Sequence, residues 1–412
     1  MSRNLFLRSV VLRGVSSAFL LGSAAVAGAQ SIPIPIESFA PVNVGAAIAR
    51  ENLRNISQLP PVTNLSFTYK YDPEIDSYVA QRDNLGSGMV VSPRFNRKGG
   101  FSVMLSFAYY RLDEFDGHNS TAVVVDVPSD RFNPNSPRVD LGIAAKVAAD
   151  VTVSRFSTRY TILDNWDVGI AVPLVSVDVS SRYAVQVLNG AAEISDFLSQ
   201  GIDTPDPGGN RLIDTPLNHL ALPGGFNEGG NVGVGNIELD SKMGFDSGVE
   251  NLNLGVQTVL RLPNADEDRF TGRNSTSLRG LVLADYRLGK FGLFFNGGYE
   301  NDFNEAFLSN VMFATSVTFA AHRLVNLEVG VRANLYHKSV DLFDSNEFSR
   351  TLPGTVIVGG DSKLGNQQVS VGGGVRFVPI GDLSVSAYIT APATNDGYTA
   401  DGIFSLAVDY PI

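Results

Sequence analysis

The chain has no cysteine. Disulfides and thiolate metal sites are therefore excluded. Histidine is scarce too: only His118, His219, His322 and His337 occur in 412 residues. They are scattered, and none belongs to a cluster with ligand spacing, so no metal or other cofactor is expected. Positive charge is short. The net charge of −11 argues against nucleic acid as a partner, because phosphate binding needs a basic surface. Hydrophobic residues make up 44% and charged residues 18%. Beyond the N-terminus, however, no apolar run reaches the ~20 residues of a membrane helix. A helical membrane protein is excluded. A β-barrel stays open, because it places its apolar residues at every second position.

What is present is alternation. In "NLNLGVQTVLRL", Leu252, Leu254, Val256, Thr258, Leu260 and Leu262 fall on one parity. Asn251, Asn253, Gly255, Gln257 and Arg261 fall on the other, with Val259 as the apolar intruder. A period of two is a β-strand with one apolar and one polar face. About fourteen such segments follow one another: 64–72, 88–95, 101–115, 146–161, 166–179, 233–245, 250–262, 275–288, 291–302, 309–321, 325–338, 367–378, 382–391 and 402–412. Most match the roughly 9–11 residues of a tilted strand that crosses a bilayer. Short and long connections strictly take turns between them. That is the pattern of an outer-membrane barrel, with tight periplasmic turns and longer extracellular loops. The expected fold is all-β: a transmembrane antiparallel up-and-down barrel of about fourteen strands, spanning residues 63–412, with both chain ends on the periplasmic side.

The compartment is read from the N-terminus. "MSRNLFLRSVVLR" carries Arg3, Arg8 and Arg13, an apolar stretch follows, and "AGA" offers small residues for cleavage after Ala29. Residues 1–29 read as a secretory signal peptide. Its loss takes the charge from −11 to −14. Residues 30–62 are Pro-rich at both ends, with room for one short helix, and are expected as an N-terminal plug-like segment. The location expected is the bacterial outer membrane. The expected partners are its lipid, the barrel assembly machinery and a small-molecule solute. "FSLAVDYPI" alternates to Ile412 and resembles the terminal strand signal that this machinery reads, departing from it in Pro411 and Ile412.

Parity also sorts the side chains. The charges expected to line the lumen are Arg94, Arg155, Arg159, Glu238, Asp240, Lys242, Arg261, Arg279, Asp285, Arg287, Glu328, Arg332 and Arg376. Paired, they would stiffen the barrel. Unpaired, they would tune which solute passes. An aromatic girdle at one membrane interface is expected from Phe95, Tyr160, Trp166, Phe245, Tyr286, Phe291, Phe319, Phe377 and Tyr410, since such rings favour that level. Val259 is expected inside the barrel. In "NWDVGIAVPLVSVDV" the apolar residues change parity at Pro173, and a bulge is expected there.

"NWDVGIAVPLVSVDV", "VGVGNIELDSKMGF" and "LNLGVQTVLRLPNADEDRFTG" resemble the bacterial MetA-pathway of phenol degradation family, outer-membrane barrels grouped with the long-chain fatty-acid transporters. The resemblance centres on residues 150–300. It implies fourteen strands, an N-terminal plug and hydrophobic cargo.

No catalytic constellation stands out, and no enzyme activity is expected. His337 and Ser339 share a parity near a rim but lack an orienting acid. "NADEDRF" spaces Asn264, Asp266 and Asp268 as a calcium loop does, yet has Arg269 where Gly is needed and Ser275 where Glu is needed. The longest loop, 180–232, contains "NGAAEISDFLSQG". Ala191, Ile194, Phe197 and Leu198 recur there at helical spacing, between a cap at Asn189 and a stop at Gly201. The function expected is passive uptake of small or hydrophobic solutes, aromatic ones among them. The alternative is a structural or adhesive barrel that acts through its extracellular loops.

Overall fold

The structure is a computed structural model, and it describes residues 68–72, 77–81, 85–128, 138–188, 191–200, 211–216, 229–265, 271–341, 356–360 and 363–412. The expected signal peptide and residues 30–62 lie outside them.

Alternating sequence becomes wall. The strands are β1 (Phe101–Phe115), β2 (Arg138–Leu163), β3 (Trp166–Leu188), β4 (Glu238–Asp246), β5 (Leu252–Arg261), β6 (Ser277–Leu288), β7 (Phe291–Asp302), β8 (Asn310–His322), β9 (Val325–Tyr336), β10 (Gln367–Ile380), β11 (Leu383–Pro392) and β12 (Tyr398–Pro411). Each pairs antiparallel with its sequence neighbour, and β12 returns to β1, with Phe404 opposite Tyr109 and Tyr410 opposite Val103. Among the described residues the wall is thus a closed up-and-down barrel of twelve strands. Closure satisfies every edge, which a strand needs in lipid.

The faces are inverted relative to a soluble protein. Outward-facing Leu239, Phe245, Val282, Leu293, Phe313, Val329 and Phe404 are all exposed. Inward-facing Lys242, Gln257, Asp285, Asn296, Thr318, Glu328 and Arg376 are all buried. An apolar surface around a polar interior is the membrane-barrel arrangement.

One end carries the tight turns. Leu288 faces Phe291 across Gly289–Lys290, and Ile380 faces Leu383 across Gly381–Asp382. Gly289 (φ 57°) and Gly381 (φ 59°) supply the left-handed backbone that two-residue hairpin turns require. At the other end β2 (26 residues) and β3 (23 residues) run far past the length a bilayer needs. There they join Thr121–Pro128, Val356–Gly360 and Arg211–Pro216 in a sheet beyond the wall. Helix α1 (Ala191–Gln200) sets Ile194 and Leu198 against Ala122, Val124, Ala144 and Leu188 of that sheet.

Three expectations are corrected. First, two of the fourteen expected strands are absent from the wall. Residues Thr68–Asp72 pair only with Ser77–Gln81, in a separate two-stranded sheet. Segment 88–95 is not a strand at all and lies in the lumen. Second, the expected strand 233–245 is divided. Gly229–Val234 pairs with Leu174–Val179, and β4 pairs with Trp166–Ala171. Third, no bulge occurs at Pro173 in the pairing of β2 with β3, which is regular from Asp140–Leu188 to Thr161–Asp167. Asp167, Ala171, Val175 and Val177 all face inward on a single parity. The apolar residues that looked like a phase change line the long-loop half of the interior. The break is in the partner chain between Val234 and Glu238. Pro173 has no N–H to donate there, and its carbonyl accepts the Gly235 N–H at 2.9 Å.

Candidate functional site

Residues 85–96, "LGSGMVVSPRFN", form an irregular segment inside the barrel, and all twelve are buried. The sequence explains why they do not join the wall. Gly86 takes φ 78°, and Pro93 removes a donor. The Ser87 hydroxyl accepts the N–H of Met89 (3.2 Å) and of Val90 (2.8 Å), turning the chain locally. Both ends of the segment sit at the tight-turn end of the barrel. Leu85 packs on Val378 and Leu324, and Asn96 donates to the Phe101 carbonyl at 3.5 Å. Between these ends the chain dips into the lumen. Its apolar tip meets an apolar belt: Met89 and Val90 lie against Phe294 and Tyr388, and Val91 against Leu281, Leu283 and Met312.

The flanks of the tip are held by wall charges. Glu328 accepts the Ser87 hydroxyl and the Gly88 N–H (2.7 Å). Ser316 donates to the Ser87 oxygen at 3.0 Å. Arg332 donates to the Met89 carbonyl (3.0 Å) and Arg376 to the Leu85 carbonyl (3.0 Å). Asp285 accepts the Ser92 hydroxyl (2.8 Å), Arg94 Nε (3.1 Å) and the Asn253 amide. Lys242 donates to the Ser92 carbonyl at 3.1 Å and to the Arg94 carbonyl, with its ammonium 4.7 Å from the Phe95 ring centroid. Charge-assisted bonds of this kind are about twice as strong as neutral ones. Wall glycines make the remaining room. A Cβ at Gly372 would lie 2.6 Å from Met89 Cε, one at Gly255 2.9 Å from Pro93 Cβ, and one at Gly244 would overlap the Phe95 ring.

This seating can be tested. Gly244→Val is expected to unseat Phe95. Overpacking of about 1–3 kcal/mol should raise tryptic cleavage after buried Arg94 by about ten- to hundredfold, because cleavage of an opened segment follows its opening free energy. Cleavage after exposed Arg97 and Lys98 is the internal reference. Equal rates at Arg94 in both proteins would refute the seating.

Toward the long-loop end the interior carries a chain of ion pairs. Arg155 meets Glu238 (2.5 Å), Glu238 meets Arg261 (2.8 Å), Arg261 meets Glu300, Glu300 meets Arg273 (2.9 Å) and Arg273 meets Asp302 (3.4 Å). Arg159–Asp240 (2.5 Å) and Lys242–Asp167 (3.6 Å) form further pairs. A cavity of about 70 Å³ is lined by Met89, by Tyr110 and Leu112 of β1, by Arg332 of β9 and by residues of β10, β11 and β12.

The thirteen charges singled out by parity lie in the barrel interior. Arg94 does so on the crossing segment and not on the wall. Parity missed Asp167, Arg273, Glu300 and Asp302. Glu300 and Asp302 share the inward parity of Asn296 and were legible on that ground, whereas Arg273 precedes β6 in a loop. Val259 is inside, 2% exposed, between Asp240 and Arg279 of the adjacent strands. Tyr160, Phe245, Tyr286, Phe291, Phe319 and Phe377 are exposed on the outer surface near the tight turns, with Phe291 and Phe319 rings 5.1 Å apart. Trp166 and Tyr410 are half-buried at that level, and Trp166 Nε1 donates to Ser241. Phe95 is the exception. It is buried in the lumen because its strand does not exist.

The remaining motifs are structural where they are described. Asn264 accepts the Ile237 N–H (2.8 Å) and donates to the Gly235 carbonyl (2.9 Å). Asp266 and Asp268 lie outside the described residues. His337 Nε2 is 3.0 Å from the Tyr299 hydroxyl, on the exposed surface.

Fold and site together define an outer-membrane-type β-barrel whose lumen is crossed by its own chain. No protein-family model matches the sequence, and no curated protein matches it. Solved structures are similar in outline. An outer membrane channel from Pseudomonas putida F1 is 12% identical, with 77% of this chain and 97% of that chain covered and a TM-score of 0.45. A Pseudomonas aeruginosa FadL homologue is 10% identical over 79% and 96%, with a TM-score of 0.35. The P. putida toluene transporter TodX is 10% identical over 76% and 89%, with a TM-score of 0.33.

Proposed function

We propose that this protein is a bacterial outer-membrane channel for passive uptake of small or hydrophobic solutes, aromatic ones among them, and that residues 85–96 are its gate. The observation that carries the reading is the nature of the obstruction. The segment is held by side-chain hydrogen bonds and by small wall residues, and it shares no strand ladder with the wall. A stopper that enters and leaves through the tight-turn end can be displaced without breaking the barrel. In this reading the long loops capture the solute and the inward charges stay in place as a paired, polar lining. No catalytic step is needed. The barrel assembly machinery would insert the chain, and the outward aromatics would sit at the lipid interface.

A second reading, a structural or adhesive barrel, draws support from the sheet and helix that β2 and β3 carry beyond the wall. Proteoliposome swelling separates the two. The wild type is compared with a variant in which Gly88–Pro93 is replaced by a flexible Gly/Ser linker. The channel reading expects slow, selective swelling from the first and fast, unselective swelling from the second. If neither passes any solute, the channel reading fails and the outer sheet becomes the working part.

A further inference from the structure

We infer that Arg279 is an anion-binding residue of the lumen, and that the group it takes is the carboxylate of a small solute with an apolar body. The inference rests on the channel reading only in calling that anion a solute, and the binding itself is measured without transport. Arg279 lies on the inward face of β6 and is 6% exposed. It is the exception to the paired lining. None of its three nitrogens has a hydrogen-bond or ion-pair partner among the described residues. Only Nε is sealed from solvent, so Nη1 and Nη2 open on the lumen.

The neighbouring carboxylates are already engaged. Arg279 stands opposite Glu300 in the pairing of β6 with β7. Glu300 Oε1, however, accepts from Arg261, Arg273 and the Ser277 hydroxyl. Glu238 lies between Arg155 and Arg261, and Asp302 meets Arg273. Arg155, Arg261 and Arg273 thus take up Glu238, Glu300 and Asp302, and Arg279 is left over. A buried charge without a counter-ion is costly, and an entering anion relieves that cost. A second positive charge stands toward the cavity. Arg332 lines it, donates to the neutral Met89 carbonyl and lies within Coulombic reach of Arg279.

The donors also select the shape of the anion. A guanidinium is a planar fork, which matches the two oxygens of a carboxylate better than a spherical ion. Apolar side chains flank it. Val259 of β5 is opposite Arg279, Leu281 comes next on the inward face of β6, and Met312 packs against the Leu281 cluster. These suit a hydrocarbon body beside the charge.

The test is calorimetric titration of the full chain in nanodiscs at neutral pH, with empty nanodiscs as the blank. The probes are benzoate, benzamide and chloride. Benzoate is expected to bind saturably, and the other two at least about tenfold more weakly. Arg279→Met should weaken benzoate about tenfold or more, the loss of a charge-assisted pair, and Arg279→Lys by less, since it keeps the charge without the fork. Stability is the second readout, because Glu300 Oε2 also has no hydrogen-bond partner and is the rival mate of Arg279. Urea titration in lipid vesicles separates the two roles. A ligand-binding Arg279 leaves the midpoint of Arg279→Met at or above that of the wild type, since an unpaired buried charge is gone. A midpoint lowered as far as that of Arg261→Met makes Arg279 a member of the ion-pair chain and overturns the site. So does an absence of saturable benzoate binding, or an affinity unchanged in Arg279→Met. Benzamide as tight as benzoate overturns the anion. Chloride as tight as benzoate gives the site to free inorganic anions and overturns the solute carboxylate. If benzoate binds as expected while the swelling assay passes nothing, the channel reading fails and the site stands.

Discussion

A disulfide between Ser87→Cys and Ser316→Cys is expected to abolish transport under oxidising conditions and to restore it on reduction. The two serine oxygens are 3.0 Å apart, one on the stopper and one on β8. A disulfide needs its sulfurs only ~1 Å closer than that. The chain has no cysteine of its own, so no other pairing competes. A conducting state that requires the segment to leave cannot form while the bond holds, and flux should fall by about tenfold or more, to background, because only the closed population remains. A wall-to-wall bond between Ser106→Cys and Ala407→Cys, opposite each other on β1 and β12, is the control. It leaves the stopper free and should leave flux unchanged. If the oxidised stopper variant passes solute as fast as the reduced one, solute travels with the segment in place, and the gate assigned to residues 85–96 is wrong.

The wall was legible in the sequence for a physical reason. A barrel wall is one residue thick, so each side chain has two environments to choose from, lipid or lumen, and parity reports the choice. Leu254, Val256 and Leu260 against Asn253, Gln257 and Arg261 show this, and even the intruder Val259 obeyed the parity of its neighbours. Parity fails where a segment is surrounded. Met89, Val91 and Phe95 alternate like a strand, but every face of that segment is covered, so alternation there says nothing of direction. Gly86, Gly88 and Pro93 were the contrary signal. The count of fourteen strands and the place of Phe95 both went astray at this one segment. The ion-pair chain was illegible for another reason. Glu238 and Glu300 are joined through Arg261, and that link depends on strand register, which the inward charges alone do not set.

Glu300→Ala is expected to be the most destabilising single change in the interior. Glu300 is fully buried and accepts from Arg261, Arg273 (2.9 Å) and the Ser277 hydroxyl (2.8 Å). Its removal takes one of two carboxylate partners from each of two buried guanidinium groups, Arg261 keeping Glu238 and Arg273 keeping Asp302, and the cost lies toward the lower end of the about 3–5 kcal/mol for breaking a buried pair. Asp113→Ala is the comparison. Its partner Arg111 is 55% exposed, and a pair of that kind contributes about 0–1 kcal/mol. Urea titration of both variants in lipid vesicles measures the difference. Adding Arg273→Met to Glu300→Ala should recover part of the loss, since it removes one charge left with a single carboxylate partner, and the shortfall from additivity measures the coupling. The outcome bears on transport as well as stability. A cost near 3 kcal/mol or above means that the outer half of the lumen is dry at Glu300, so that solute is confined to the opposite side, where β1, β10, β11 and β12 line the cavity. A cost no larger than that of Asp113→Ala means that water reaches Arg261 and Arg273 freely. The ion-pair chain would then border an aqueous vestibule above the stopper, and the stopper alone would separate that water from the tight-turn end.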